Sequence, residues 1–259
     1  MALGLAGRTA IVTGVSRRIG IGAAIARRLA AEGADVLVQG WRRHDVERHE
    51  GGDPDGPDAI VAELRAAGRR AEYVDADFTD PAAPAAVLDA GVAAFGRVDI
   101  LVANHARNTP WAPLAELTAA EVDAAYAVNT RATLLLVKEF ADRFEAGDGR
   151  IVLFTSGQQG GPMPLEIPYA SSKAALAGMT PSLAAAVVGK GIRLNCVNPG
   201  PTDTGWATPE ITAEALRRLP FGRWGRPEDA AALVAFLVGP DGGWVTGQVI
   251  ASEGGFGLV

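Results

Sequence analysis

The sequence predicts an α/β fold: one parallel sheet of about seven strands with helices on both faces. Three observations predict it. Short apolar runs alternate with longer helical patterns along the chain. The strand runs are continuously apolar, as strands buried on both faces require. Several helical stretches close on glycine, as in Ala31-Glu32-Gly33 and Ala66-Ala67-Gly68, the residue a helix C-terminus favours.

The elements follow in order. A strand at Thr9–Thr13 runs into a glycine-rich stretch and a helix over Ala23–Ala31. A second strand covers Asp35–Gln39, and the polar, Gly- and Pro-rich stretch Arg42–Pro57 is a surface loop before a helix over Asp58–Ala67. Strand Ala71–Asp75, helix Ala82–Phe95 and strand Ile100–Ala103 repeat the alternation. So do helix Ala119–Phe144, strand Arg150–Thr155, helix Ala170–Val188 and strand Arg193–Val197. Helix Pro227–Val238 and strand Gln248–Ser252 complete the chain. Strand–helix–strand order implies right-handed crossovers and therefore parallel strands. No repeat or linker divides residues 1–259, so the chain reads as a single domain.

Composition narrows the function. At 259 residues and 48% hydrophobic, the chain can bury a substantial core. A net charge of −6 argues against general nucleic-acid binding. The single cysteine, Cys196, cannot form an intrachain disulfide and sits in an apolar run, where it reads as a small buried hydrophobe. His44, His49 and His105 form no ligand pattern, so no metal site is expected. Residues Met1–Arg8 lack the character of a secretory signal and no apolar run reaches membrane-spanning length, so a cytoplasmic protein without a membrane partner is expected.

The chemistry begins at Pro168-Tyr169-Ala170-Ser171-Ser172-Lys173. Positions i and i+4 share a helix face, which brings a phenol and an ammonium together. A free tyrosine titrates at about 10. A nearby positive charge favours the phenolate and lowers that value. The product is a group able to exchange a proton, as carbonyl–alcohol interconversion needs. The spacing by itself also fits a solvated helix face. A second motif, Thr13-Gly14-Val15-Ser16-Arg17-Arg18-Ile19-Gly20-Ile21-Gly22, lies between a strand and a helix. Glycines there permit close backbone approach, and the helix N-terminus offers free N–H groups to a pyrophosphate.

With these motifs in place the chain resembles the short-chain dehydrogenase/reductase family over nearly its whole length. The resemblance implies a Rossmann-type, doubly wound sheet. The family's first turn reads Thr-Gly-x-x-x-Gly-x-Gly, whereas here the middle glycine comes two residues late. Either Arg18 replaces it, or two residues are inserted and Gly20-Ile21-Gly22 resumes the pattern; the insertion restores both the glycine pair and the helix. The resemblance implies cofactor contacts from Gly14, Ser16, Arg17, Arg18, Gly20, Ile21 and Gly22. Asp77-Phe78 matches the adenine-contacting pair, and Asn104 is kept where the family has Asn-Asn-Ala-Gly, with His105 a structural substitution. Pro199, Gly200, Thr202 and Thr204 match the loop beside the nicotinamide. Thr246-Gly247-Gln248 and Glu253-Gly254-Gly255 resemble the C-terminal signature, with Glu253 where Asp is commoner.

The implied catalytic set is Asn129, Ser156, Tyr169 and Lys173, with Ser156 thirteen residues before Tyr169. Tyr169 is the acid/base, Ser156 shares the substrate oxygen, Lys173 lowers the tyrosine pKa and holds the nicotinamide ribose, and Asn129 fixes a proton-supplying water. Tyr169 and Lys173 therefore also count as cofactor contacts. No carboxylate ends the second strand: Gly40 stands where an NAD-selective aspartate would sit, followed by Trp41, Arg42 and Arg43. Arginine suits a phosphate, and Trp41 can stack on adenine, so NADP(H) is preferred with NAD(H) left open.

Gln158, Gln159, Met163, Leu165 and Glu166 border the expected substrate pocket, and Trp206 belongs to a substrate lid around 203–220. The C-terminal half resembles 3-oxoacyl-[acyl-carrier-protein] reductases, which implies a ketone or 3-oxoacyl substrate; a sugar, polyol or other polar alcohol is the alternative. Docking of an acidic carrier protein needs a basic patch, which Lys190 and Arg193 alone do not make. A catalytically silent dinucleotide sensor or scaffold is the other functional class, but such proteins usually lack the tyrosine or lysine that this chain keeps. The family also implies self-association as a homotetramer (or a dimer) through helices Ala119–Phe144 and Ala170–Val188.

Overall fold

The computed structural model describes residues 4–44, 53, 55–145, 147–205 and 207–258. Seven strands form one sheet: β1 (Thr9–Thr13), β2 (Asp35–Gly40), β3 (Ala71–Asp75), β4 (Ile100–Ala103), β5 (Gly149–Phe154), β6 (Ile192–Asn198) and β7 (Val249–Ala251). Their order is β3-β2-β1-β4-β5-β6-β7, and every pairing is parallel. Chain order reverses between β1 and β4, where a doubly wound sheet opens its crevice.

Strand alternation sends apolar side chains to two separate cores. In β1, Ala10 and Val12 join one core while Ile11 joins the other. Val152 and Phe154 of β5 lie opposite Ile151 and Leu153 in the same way. Helices α1 (Ile21–Ala31), α2 (Gly56–Ala66) and, near the C-terminus, α8 (Pro227–Val238) cover the first face. Helices α3 (Ala83–Phe95), α5 (Ala132–Arg143) and α6 (Ile167–Val187) cover the second. Two shorter helices, α4 (Ala119–Ala125) and α7 (Pro209–Leu216), lie outside these layers in the chain order α3-α4-α5-α6-α7-α8.

Three elements differ from expectation. The long helix expected over Ala119–Phe144 is broken into α4 and α5 by a π turn at Tyr126–Arg131, the segment that carries Asn129. Helix α6 starts at Ile167 rather than Ala170, with Pro168 in its first turn, where a missing N–H costs nothing. Part of the expected lid is itself helical, α7. Of the stretch Arg42–Pro57, Arg42–His44 forms a helical turn and Gly56-Pro57 opens α2; residues 45–52 and 54 lie outside the described residues. Trp206 and the side chain of Gln159 do so as well.

Candidate active site

All seven strands point their C-terminal ends the same way, so the loops that follow them share one edge. Between these loops lies a cavity of about 840 Å³. At the glycine-rich end, Gly14 has φ +71°, and a Cβ there would lie 2.8 Å from the His105 Cα. A Cβ on Gly22 would lie 2.4 Å from the Gly14 carbonyl oxygen. Gly20 is the N-cap of α1, with no side-chain cap and no acidic residue in the first turn. An uncapped helix N-terminus facing the cavity through Gly20 and Ile21, with backbone close enough to exclude any side chain, fits a pyrophosphate. Gly20 and Gly22 thus hold the helix start that the insertion reading requires.

Around this cradle, Ser16, Arg17, Trp41, Asp77, Phe78 and Asn104 line the cavity. Asn104 Nδ2 donates to the Thr13 and Gly14 carbonyls at 3.1 and 3.2 Å, fixing β1 to β4 at the switch point. Gln39 Oε1 accepts from the Gly14 N–H at 3.2 Å while its Nε2 donates to Ala76 O at 2.8 Å. At Gly40 a Cβ would meet Ser16 Oγ at 2.8 Å, so the strand end carries no side chain into the site. Trp41 stacks on His44, with ring centroids 5.5 Å apart. His44 also lines the cavity and escapes a reading based on motifs.

Three of the four arginines considered for phosphate binding part company. Arg17 lines the cavity and its Nη2 donates to Thr204 Oγ1 at 3.4 Å. Arg18 forks onto Asp53 with bonds of 2.8 Å from Nε and Nη2. Arg42 forks onto Asp58 at 3.0 and 2.9 Å and stacks on Tyr73. Neither Arg18 nor Arg42 is among the residues lining the cavity, and Gly22 lies behind the turn rather than on its surface. Two carboxylates close in space, which spacing in sequence does not reveal, account for the change.

On the other side of the cavity stand Ser156, Tyr169 and Lys173. Ser156 follows β5, and α6 presents the other two from successive turns. Burial raises the pKa of the Tyr169 phenol, against a smaller lowering influence of the nearby Ser156 hydroxyl. The expectation that Lys173 depresses it is therefore not met in the free protein. The physical reason is burial of the phenol; the ammonium meanwhile donates from Nζ to the carbonyls of Phe154 and His105 at 3.1 and 3.3 Å. Burial of Lys173 pushes its own pKa down to about 8.

Asn129 lies fully buried within the π turn. Its Oδ1 accepts from Arg107 N at 2.7 Å, and its Nδ2 donates to Ser172 Oγ at 2.9 Å and Arg107 O at 3.2 Å. The side-chain amide thus braces a loop against α6. His105 is structural as well: Nε2 lies 3.0 Å from the Val128 carbonyl, which can only accept, so that nitrogen carries the proton. Nδ1 then accepts from Thr13 Oγ1 at 2.8 Å.

Pro199, Gly200, Thr202 and Thr204 form the wall beyond Lys173. A Cβ on Gly200 (φ +63°) would lie 2.5 Å from Glu253 Cβ. Glu253 Oε2 accepts from Asn198 Nδ2 at 3.3 Å, so the C-terminal signature clamps this loop. At the substrate end Met163 and Glu166 line the cavity. Gln158 does not: its Nε2 donates to Thr155 Oγ1 at 2.8 Å, which turns the side chain inward. Leu165 is exposed and is likewise not on the wall. Trp111, Arg107, Arg218 and Phe256 complete that end. Of these only Trp111, an aromatic residue between prolines in Pro110-Trp111-Ala112-Pro113, carries a local signal.

A family model described as enoyl-(acyl carrier protein) reductase matches residues 14–257. The chain is 37% identical over 252 residues to the uncharacterised oxidoreductase YjdA of Bacillus subtilis (strain 168), covering 96% of each. It belongs to the short-chain dehydrogenase/reductase family. This short-chain dehydrogenase/reductase is also 40% identical to the chloroplastic NADPH-dependent aldehyde reductase-like protein of Arabidopsis thaliana, over 98% of this chain and 96% of that one. A short-chain dehydrogenase from Burkholderia cenocepacia J2315, solved in complex with NADP, superposes with a TM-score of 0.86 at 38% identity, over 98% and 99% of the two chains. The protein is an oxidoreductase of this family. Among the described residues no helix is long and apolar enough to cross a membrane, and no group of three His, Cys, Asp or Glu could hold a metal.

Proposed function

We propose that this oxidoreductase interconverts a ketone and a secondary alcohol, using NADP(H), with Tyr169 as acid/base. The observation that carries the reading is the pair of neighbouring hydroxyls, Ser156 and Tyr169, facing one cavity with the buried Lys173. When bound, the nicotinamide supplies or accepts the hydride. In the reducing direction the two hydroxyls hold the substrate oxygen, where negative charge grows, so donors placed beforehand favour the transition state. The raised pKa keeps the Tyr169 Oη proton in place at rest, ready for transfer to that oxygen. Lys173, with a pKa of about 8, is charged at neutral pH and favours the phenolate left behind. Asn129 acts as a positioning residue, its amide bonded to Arg107 and Ser172.

Three features support NADP(H). No carboxylate ends β2, Arg17 lines the cavity beside that strand end, and relatives named for NADPH or solved with NADP share the fold. The acyl-carrier variant of the reading gains no docking patch from the two residues considered for it. Lys190 Nζ donates to Ala141 O at 2.5 Å and Arg193 Nη2 lies 2.8 Å from Asp148. A homotetramer is part of the proposal, supported by Tyr126, Met179 and Val188, apolar side chains left exposed on the elements expected to pack between subunits.

Tyr169→Phe tests the reading. It removes one oxygen, and kcat for NADPH-dependent ketone reduction is expected to fall by about 10²- to 10⁴-fold with the fold retained. Unchanged turnover by a folded variant would sink the assignment.

A further inference from the structure

Glu166 is the one carboxylate that lines the substrate end of the cavity among the described residues; the other carboxylate on the wall, Asp77, lies at the adenine end and accepts from Thr79 N at 2.8 Å. Glu166 is the N-cap of α6, three residues before Tyr169. Residues three apart share a helix face, and the rise between them is about 4.5 Å. The peptide that carries Glu166 is fixed at several points. Its N–H donates to Met163 O at 3.1 Å, its carbonyl accepts from Ala170 N at 2.8 Å, and the neighbouring Leu165 carbonyl accepts from Ala112 N at 3.0 Å. The last bond ties the strand of chain bearing Trp111 to the one bearing Glu166. Glu166 therefore lines the cavity from a rigid mount, near enough to the phenol to act on it electrostatically.

We propose that Glu166 selects substrates carrying a hydroxyl group on the first or second carbon from the reacting carbonyl, by accepting that hydroxyl's hydrogen bond while Tyr169 holds the carbonyl oxygen. The inference rests on the ketone–alcohol reading above and names its substrate class: hydroxyketones and the corresponding diols. Charge on the rest of the wall argues for a neutral donor. Lys173, Arg107 and Arg218 line the same cavity, so an ammonium group would meet three cations there. A hydroxyl suits Glu166 for a second reason. Burial raises the carboxyl pKa, with the Trp111 indole N–H opposing, and the proximity of Glu166 helps raise that of Tyr169. A partner that can both donate and accept satisfies the carboxyl group in either protonation state. The structure thus puts polar recognition beside the acid/base and leaves the apolar wall, Met163 and Trp111, for the remainder of the molecule.

The test is a matched pair of ketones, one with a hydroxyl beside the carbonyl and one without, assayed with wild type, Glu166→Gln and Glu166→Leu. A hydrogen bond to a charged group supports a preference of about tenfold or more in kcat/KM for the hydroxyketone. That preference, taken as the ratio of the two ketones within each variant so that any change in Tyr169 itself divides out, should shrink in Glu166→Gln, vanish in Glu166→Leu, and appear in KM. The plain ketone also reports folding, so a general loss is told apart from a loss of recognition. Equal treatment of the two ketones by the wild type, or an unchanged preference in Glu166→Leu, would overturn the proposal. If neither ketone is turned over, the reaction reading fails, and calorimetric titration of the same two compounds still decides this one. Tighter binding of the hydroxyketone by wild type than by Glu166→Leu upholds the contact, and equal affinity refutes it.

Discussion

The Lys173 ammonium donates to the backbone carbonyl of His105 at 3.3 Å, and its charge helps to hold the imidazole of that same residue neutral. Burial is the larger cause, and together they push the His105 pKa down to about 3, against a smaller opposing bond to Val128. Two buried bases therefore share one corner, each with its pKa lowered on folding.

This pairing predicts how stability follows pH. A base whose pKa is lowered on folding binds fewer protons in the folded than in the unfolded chain between its two pKa values, so stability rises with pH across that window. For His105 the window runs from about 3 up to 6.5, and for Lys173 from about 8 up to 10.5. Stability from His105 is complete above 6.5 and is lost as the pH falls, by about 2 kcal/mol on reaching about pH 5. Urea midpoints of wild type and His105→Gln should converge as the medium is acidified from pH 7 to 5. Parallel curves would show that the imidazole is not held neutral.

Cofactor selection should depend on Arg17 and not on its neighbours. Arg17→Ala is expected to weaken NADPH binding by about tenfold, as loss of a charge-assisted bond implies, with little change for NADH. Arg18→Ala and Arg42→Ala break pairs with Asp53 and Asp58 and should leave the NADPH-to-NADH ratio near that of the wild type. Fluorescence titration of both cofactors against the three variants measures this directly.

Gly22→Ala should fail at the turn. The added Cβ would sit 2.4 Å from the Gly14 carbonyl oxygen and 2.9 Å from Asn104 Nδ2, both of them fixed. Overpacking of this kind costs about 1–3 kcal/mol. Thermal melting should register that loss, and cofactor affinity should fall with it because Gly14 and Gly20 are displaced together. Gly68→Ala is a suitable control for handling, since nothing lies within 4 Å of its Cβ, although its φ of +79° carries a local cost.

Sheet, layers and the location of the crevice are legible in the sequence because each depends on local pattern. Continuous apolar strands such as Ile100–Ala103 and glycine-rich turns after them need no knowledge of distant residues. The serine, tyrosine and lysine are legible for the same reason, being carried by a spacing along one helix and the strand before it. What escapes is whatever depends on where a long side chain finally points. Arg18 and Arg42 look like phosphate ligands until Asp53 and Asp58 are brought beside them. Gln158 looks like a pocket residue until Thr155 takes its amide. The spacing of Tyr169 and Lys173 expects a depressed phenol, yet only the fold shows the ammonium turned to two carbonyls. The π turn is hidden too, because the apolar pattern of Ala119–Phe144 runs through it without a break.

That turn has a consequence for how the chain tolerates length changes. An α-helix rotates about 100° per residue, and a wider turn absorbs one extra residue without passing that rotation to the helix after it. Upstream, Glu121 of α4 pairs with Arg107 at 3.2 Å; within the turn Thr130 Oγ1 donates to Ser172 O, and downstream Thr133 Oγ1 donates to Asn129 O. Deleting a single residue between Tyr126 and Arg131 would restore ordinary helical bonding and leave Leu136, Val137 and Phe140 facing the core, but it would remove the widened turn that seats Asn129 against Arg107 and Ser172. The segment works as an index mark between two helical reading frames, one aligned to the cleft and one to the sheet.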